Sequence, residues 1–388
     1  MSMDLSYTSE QQAFRQEVRS WLEEHVPDEP LPSMDTAEGF QRHREWERVL
    51  AAGRWAMVTW PEEFGGRAAD LITWLIFEEE YYRAGAPGRV NQNGIFLLGP
   101  TLMEYGTDEQ KARYLPKMGT SEEVWAQGWS EPGAGSDMAA IRATAVLDGD
   151  HYVCNGQKTW ASRGAFADWI FCIFRTDPDS QRHKGLTFIL APLDAEGVTV
   201  RPIEQLDGET GFAEVFFDDV RIPVSHRLGE ESAGWKVAMS TAGFERGLML
   251  RSPARFEATA KRLVDLYRRH EDRLDGRVRE SVTRAWMNAE AYRLNTYATA
   301  SRIIAGGSIG SEASLNKIFW SEMDVQMHET ALSILDARAQ LLPRAPAAAD
   351  VGSWLDGYLF SLAGPIYAGT NEIQRNVIAE RLLGLPRS

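Results

Sequence analysis

Arg142-Ala-Thr-Ala-Val-Leu-Asp-Gly-Asp-His-Tyr-Val-Cys154 is the stretch on which the fold turns. Arg142 to Leu147 and His151 to Cys154 read as two strands, and Asp148-Gly149-Asp150 between them is a hairpin signal. Downstream, Trp169 to Arg175, Gly185 to Pro192, Val198 to Ile203 and Ala213 to Phe217 read as further short strands, separated by Gly, Pro and Asp. That pattern indicates an antiparallel barrel or sandwich rather than a parallel sheet. Upstream, the strand zone opens on Ser130-Glu-Pro-Gly-Ala-Gly-Ser-Asp137. Here Pro132 fixes a turn, Gly133 and Gly135 let backbone approach a ligand closely, and Ser130 and Ser136 add hydroxyl groups.

On both sides of this zone the spacing is helical. Near the N-terminus Ser9 and Gln12 form a capping box, followed by Phe14, Val18, Trp21 and Leu22. Leu71 to Phe77 is apolar nearly all round, as a buried helix is. Thr107 caps another helix with Gln110 at its third position. From Gly234 onward, helices are expected at 234–250, 253–274, 278–305, 311–342 and 371–383, the last closed by Gly384 and Pro386. Pro343 to Asp350 is linker-like. Long helices joined by short loops form a bundle. The expected fold is α+β and multidomain: an N-terminal helical domain (1–123), a middle antiparallel β-barrel (124–230) and a C-terminal helical bundle (231–388).

The totals narrow the function classes. The 388 residues suffice for two or three domains, and 44% hydrophobic with 25% charged residues is ordinary for a globular protein. A net charge of -15 disfavours a nucleic-acid partner. The one dense basic run, Tyr267 to Arg273, is interrupted by acids and reads as a solvated helix end. Cys154 and Cys172, both in strand-like stretches, leave a disulfide open but fit buried free thiols of a reducing cytosol better. The start, MSMDLSYTSEQQAF, has neither the basic nor the apolar region of a signal peptide, and Leu71 to Phe77 is too short to span a bilayer. The expectation is a cytoplasmic protein with no membrane span and no metal.

The motifs combine into something more specific. Ser130-Glu-Pro-Gly-Ala-Gly-Ser-Asp137 stands at the first junction and GPIYAGTNEIQR (364–375) near the end. Between and around them lie TWPEEFGG (59–66), LGPTLMEYGTDEQKARYLPKM (98–118), GQKTW (156–160) and KIFWSE (317–322). Over essentially its whole length the chain resembles the acyl-CoA dehydrogenase family. The resemblance implies an FAD enzyme that carries out α,β-dehydrogenation of an acyl-CoA thioester to the 2-enoyl-CoA and passes electrons to an electron-transfer flavoprotein. By the same resemblance, Trp129 and Ser130 contact the pyrimidine end of the flavin. Ser162 hydrogen-bonds near N5, Trp160 packs beside the ring, and Thr370 and Glu372 lie near the ribose and adenylate. Ser136, Arg246 and Tyr367 fall to the acyl-CoA, and the backbone N–H of Ala368 binds the thioester carbonyl.

Many members of the family carry their catalytic glutamate directly before Gly-Thr, where this chain has Ala368. A second group, which includes isovaleryl-CoA and actinobacterial sterol-side-chain dehydrogenases, has it on an early helix of the C-terminal domain, followed by Arg. Glu245-Arg246 falls there. At helical spacing Glu245 has Thr241, Ala242, Leu248 and Met249 as neighbours, so no helical ion pair is open to it. An acid among apolar groups is costly unless it is used, and desolvation moves its pKa toward that of a general base. Glu372 is a rival acid, but the first turn of a helix favours a carboxylate for its own sake.

Two family segments that reach across a subunit interface to the neighbouring FAD are missing. Tyr267 to Gly276 stands in place of Arg followed by Phe-Gly-Lys/Arg-Pro, and Leu341 to Pro346 in place of a Gly-Gly-x-Gly-Tyr turn. The resemblance therefore implies either a homo-oligomer, dimer or tetramer, or a heterotetramer with a paralogous subunit. Two alternatives stay open on the sequence. One is a flavin monooxygenase or a carrier-protein-linked acyl dehydrogenase of the same fold. The other is a partner subunit that contributes FAD contacts without turnover of its own.

Overall fold

Several helices begin where the sequence supplies a side-chain cap. The computed structural model describes residues 6–246, 252–342, 345–348 and 352–386, without the side chains of 244–246 and 346. α1 (Ser9–His25) is capped by Thr8, whose hydroxyl accepts from the Gln11 N–H while the Gln11 side chain accepts from the Thr8 N–H. The capping box expected at Ser9 and Gln12 thus lies one residue earlier. Thr-Ser-Glu-Gln-Gln spells both registers, and Thr8 is the residue with extended backbone, ψ 163°. Thr36 and Asp70 cap α2 (Ala37–Ala52) and α3 (Leu71–Arg83), and Trp74 to Phe77 are buried. A π-helical turn leads into α4 (Gly99–Tyr105), and α5 (Asp108–Gly119) carries the expected box of Thr107 and Gln110.

The middle of the chain is one sheet. Its strands are β1 (Trp125–Gly128), β2 (Thr144–Asp148), β3 (His151–Ser162), β4 (Trp169–Arg175), β5 (Leu186–Pro192), β6 (Val198–Ile203), β7 (Phe212–Pro223) and β8 (Arg227–Leu228). The β2–β3 hairpin is as expected, with Asp148 paired to His151 and Gly149 at φ +63°. The spatial order is β6-β7-β3-β2-β4-β5-β8, with β1 beside β4. The sequence led to a purely antiparallel barrel, and the sheet differs from that in two ways. It is mixed, because β1 runs parallel to β4 and β2 meets β4 in parallel at Thr144 and Arg175. The whole β2–β3 hairpin is inserted between β1 and β4 and supplies the long connection that a parallel pair needs. It is also not closed: edge strands β6 and β8 do not pair with each other among the described residues.

The C-terminal helices are α6 (Gly234–Arg246), α7 (Pro253–Arg268), α8 (Gly276–Ile304), α9 (Ala313–Leu335), α10 (Gly352–Ser361) and α11 (Asn371–Val377). A π-helical turn follows α11 and ends before Gly384 at φ +70°. Two expected helices stop early. α9 ends where Asp336 takes φ +54°, and α7 ends at Arg268, before Asp275 caps α8. The expected helix at 234–250 is seen to Arg246; residues 247–250 lie outside the described residues. α10 was not foreseen, since its two glycines argue against a helix. Packing overrides them: Trp354 is buried, and a Cβ on Gly357 would come within 2.2 Å of His328 Nε2.

The chain divides into two compact units. One comprises Pro27–Ala69 and Pro87–Glu245. Its sheet core includes Tyr152, Ile170, Phe174, Ile189 and Val215, with Cys154 and Cys172 buried as free thiols. The other comprises Met1–Val26, Asp70–Ala86 and Arg246–Ser388, so α1 and α3 fold with the late helices. Its core is built on Phe256, Leu263, Tyr292, Trp320, Met327 and Trp354. Among the described residues, no helix is long and apolar enough to cross a membrane.

Candidate active site

In the sheet-bearing unit, β3 carries two of the candidate residues, Trp160 and Ser162. Tyr152, Cys154 and Lys158 are buried, Gly156 among them is exposed where the register to β7 shifts, and alternation from Lys158 would send residue 160 inward as well. Between Lys158 and Ala161 the register to β7 shifts, and Trp160 takes φ +58°. Such a bulge re-aims a side chain. Trp160 consequently stands 59% exposed against Phe212, while Ala161 fills the core position. A core role for Trp160 is thereby excluded. Leaving that much of a Trp ring in water forgoes about 1–2 kcal/mol of burial. Ser162 ends the strand two residues on, half-buried.

The Gly-rich loop faces the same strand. Ser130 C=O accepts from the Thr159 N–H (2.9 Å), and Glu131 and Ala134 bond each other's backbone. A Cβ added at Gly133 or Gly135 would meet nothing within 4 Å, so the loop is open on that side. Its anchor is a buried ion pair that the sequence reading missed. Lys158 Nζ donates to Glu131 Oε1 (2.7 Å) and to the Ile173 C=O (2.7 Å). The Glu131 carboxylate also accepts from the N–H groups of Arg142 (2.6 Å) and Ala143 (3.0 Å). A lysine at a strand position that alternation assigns to the interior must have a partner, and that signal could have found the pair. Ser136 is exposed, beside an Asp137–Arg182 surface pair.

In the helical unit, further candidate residues stand at the turn before α11. Ala368 and Gly369 are both left-handed, with φ +56° and +81°. For alanine that conformation costs about 1–2 kcal/mol. The Gln374 amide donates to both of their carbonyls, at 3.0 and 3.2 Å. The N–H of Ala368 donates to nothing among the described residues. Thr370 caps α11 by accepting from the Ile373 N–H. Glu372 is exposed in the first turn of α11, and its own backbone N–H together with the Thr370 hydroxyl holds its carboxyl below the ordinary value. That suits a helix-terminal carboxylate and not a base. The Tyr367 ring stacks on Trp320 at 5.9 Å and lies 6.4 Å from Phe360.

Glu245 and Arg246 are the last described residues of α6, and their side chains lie outside the described residues. The helix leading to them is well fixed within its own unit. Thr241, one turn before Glu245, is fully buried and shares a hydrogen bond with Thr101 of α4 (3.0 Å). Ser240 donates to Glu104 (2.7 Å).

The residues present fit FAD. Trp129 is 8% exposed and its buried Nε1 has no hydrogen-bond partner. The Ser130 and Ser162 hydroxyls have none among the described residues either, and Trp160 offers a bare aromatic face. A flat heterocycle rimmed with donors and acceptors satisfies that set.

Comparison with known proteins points the same way. Residues 8–122 match the acyl-CoA dehydrogenase N-terminal domain, 126–220 the middle domain and 232–383 the C-terminal domain of that family. The acyl-CoA dehydrogenase IpdE1 of Mycobacterium tuberculosis is 41% identical over 381 residues, covering 96% of this chain and 97% of that protein. Among solved structures, the Tcur3481-Tcur3483 steroid ACAD superposes with a TM-score of 0.89 at 31% identity, over 100% of both chains. The ChsE4-ChsE5 complex from Mycobacterium tuberculosis gives 0.86 at 32% identity, again over 100% of both.

Proposed function

The chain belongs to the acyl-CoA dehydrogenase family and is an FAD enzyme of it; on that premise we propose that it oxidises a bulky acyl-CoA to the 2-enoyl-CoA with Glu245 as the base. The observation that carries this reading is position 368. It is an alanine, so no carboxylate comes from the turn before α11, yet the backbone there is held in a costly conformation with its N–H unspent.

In this reading Glu245 takes the α-proton. The Ala368 N–H donates to the thioester carbonyl oxygen, where negative charge develops as the proton leaves. Bound FAD supplies the acceptor for the hydride that departs from the β-carbon. Trp160 would stack beside the flavin, Trp129, Ser130 and Ser162 would hydrogen-bond its edge, and Thr370 and Glu372 would serve its ribose and adenylate. Ser136, Arg246 and Tyr367 hold the acyl-CoA. The absence of a glutamate side chain at 368 leaves room for a branched or polycyclic acyl group. A steroid-derived chain is the class that the name of the Tcur3481-Tcur3483 relative suggests. Electrons then go to an electron-transfer flavoprotein.

Both solved relatives carry two-protein names. With Tyr267 to Gly276 and Leu341 to Pro346 lacking the family's FAD-reaching segments, we favour assembly with a paralogous subunit over a homo-oligomer. The buried free thiols suit the cytoplasm. The test is anaerobic titration of the purified chain, alone and with a co-expressed paralogue. Acyl-CoAs from short branched to steroid-like are added while the flavin absorbance is followed. Bleaching by a steroid-like thioester is expected. Bound flavin that no acyl-CoA bleaches would overturn the proposal.

A further inference from the structure

The proposed chemistry uses the backbone N–H of residue 368, which sits in a conformation that an alanine keeps only when it is held. Left alone, Ala368 would relax to right-handed backbone and turn its peptide groups elsewhere. The Gln374 side chain, fully buried, reaches back six residues and spends its amide on the carbonyls of Ala368 and Gly369. Its oxygen is held in turn by the buried hydroxyl of Ser314 at 2.7 Å. That contact also fixes which end of the amide faces the turn.

The support extends along α9. Ser314, Lys317 and Ser321 lie on one face of that helix, and all are buried. Lys317 Nζ and Ser321 Oγ donate to the Asn371 side-chain oxygen, at 2.8 and 3.2 Å. Asn371 and Gln374 are three residues apart and share a face of α11. A polar stripe on one helix therefore docks a polar stripe on another, and the turn before α11 hangs from the joint. Buried polar pairs of this kind contribute little net stability but fix one geometry when fully satisfied.

We propose that Gln374, held by Ser314, is a positioning residue for the dehydrogenation: it holds the left-handed Ala368–Gly369 turn so that the Ala368 N–H meets the thioester oxygen. This rests on the reading of Ala368 given above. It predicts that catalysis, more than substrate binding, depends on a side chain that touches neither substrate nor flavin.

The test uses the holoenzyme, with its paralogue if flavin retention requires it, and the CoA thioester of a steroid side-chain acid. Gln374→Met keeps the volume and removes the amide. Hydrogen exchange across residues 364–372, read without substrate, should speed up at least tenfold. Flavin reduction at saturating thioester should slow about 100-fold, the range for one lost donor to a developing oxyanion, with the half-saturating concentration changed less than threefold. Adding Ala368→Gly, which adopts the left-handed turn without steric cost, should restore at least tenfold of that rate. Should Gln374→Met fail to fold, Ser314→Ala frees the amide without removing it and should give the same pattern at smaller amplitude. Unchanged exchange with an unchanged rate overturns the positioning role and leaves the Ala368 reading standing. Faster exchange with an unchanged rate overturns the Ala368 reading, and the positioning role with it. A slow rate that Ala368→Gly does not relieve also overturns the proposal.

Discussion

Trp160 and Lys158 lie two residues apart on one strand and end in opposite environments. Trp160 gives up burial to stand exposed, which makes sense for a side chain that waits for a partner. Replacing it with Ala should leave the unfolding free energy within about 0.5 kcal/mol of the parent, as exposed sites do. The same change should weaken FAD binding roughly tenfold, read by flavin fluorescence on dilution. Lys158 behaves in the reverse way. Lys158→Met leaves the Glu131 carboxylate buried with backbone donors alone and should cost about 3–5 kcal/mol in urea unfolding. A loss under about 1 kcal/mol would mean that the loop does not depend on the pair.

Elements were legible where local chemistry decides them. Thr107 with Gln110 marks a helix start, and Asp148-Gly149-Asp150 marks a hairpin, because caps and turns are set by a few adjacent residues. The bulge that turns Trp160 outward, the helix made around Gly357 and the clamp of Gln374 were not legible. Each depends on a partner far along the chain: β7, His328 and Ser314. Resemblance named Trp160 and Ala368 as site residues, and what it could not supply was the device that holds either in place.

α7 offers a test of the same kind of long-range dependence. Glu257 ion-pairs with Arg293 of α8 at 3.3 Å. Burial pushes its carboxyl up to about 7, with Glu79 adding to the rise and Arg293 opposing it. In the unfolded chain Glu257 titrates near the ordinary value of about 4.3. Between that value and about 7 the folded state keeps a proton that the unfolded state has released. Stability therefore falls as pH rises through this window. Glu257→Gln should match the parent near pH 4 and exceed it by about 2 kcal/mol at pH 8, seen as a higher melting temperature. Equal melting temperatures at pH 8 would show that Glu257 is already paired well enough to be ionised at no cost.

At the scale of the molecule, the residues of the proposed function belong to two compact units. The sheet-bearing unit holds Trp129, Ser130, Trp160, Ser162 and α6 as far as Glu245. The helical unit holds the Ala368 turn on a joint between α9 and α11. The distinction that matters most is whether Glu245 supplies the base, since position 368, the other place the family resemblance offers for it, holds an alanine. The direct measurement is the rate of anaerobic flavin reduction by a steroid-like acyl-CoA in the parent and in Glu245→Gln, each with flavin content and melting temperature checked. We expect a fall of roughly 10³-fold or more, the share of a general base, with flavin retained. Reduction at the parental rate would contradict Glu245 as the base and, with it, the reading of this chain as a dehydrogenase whose acid has moved.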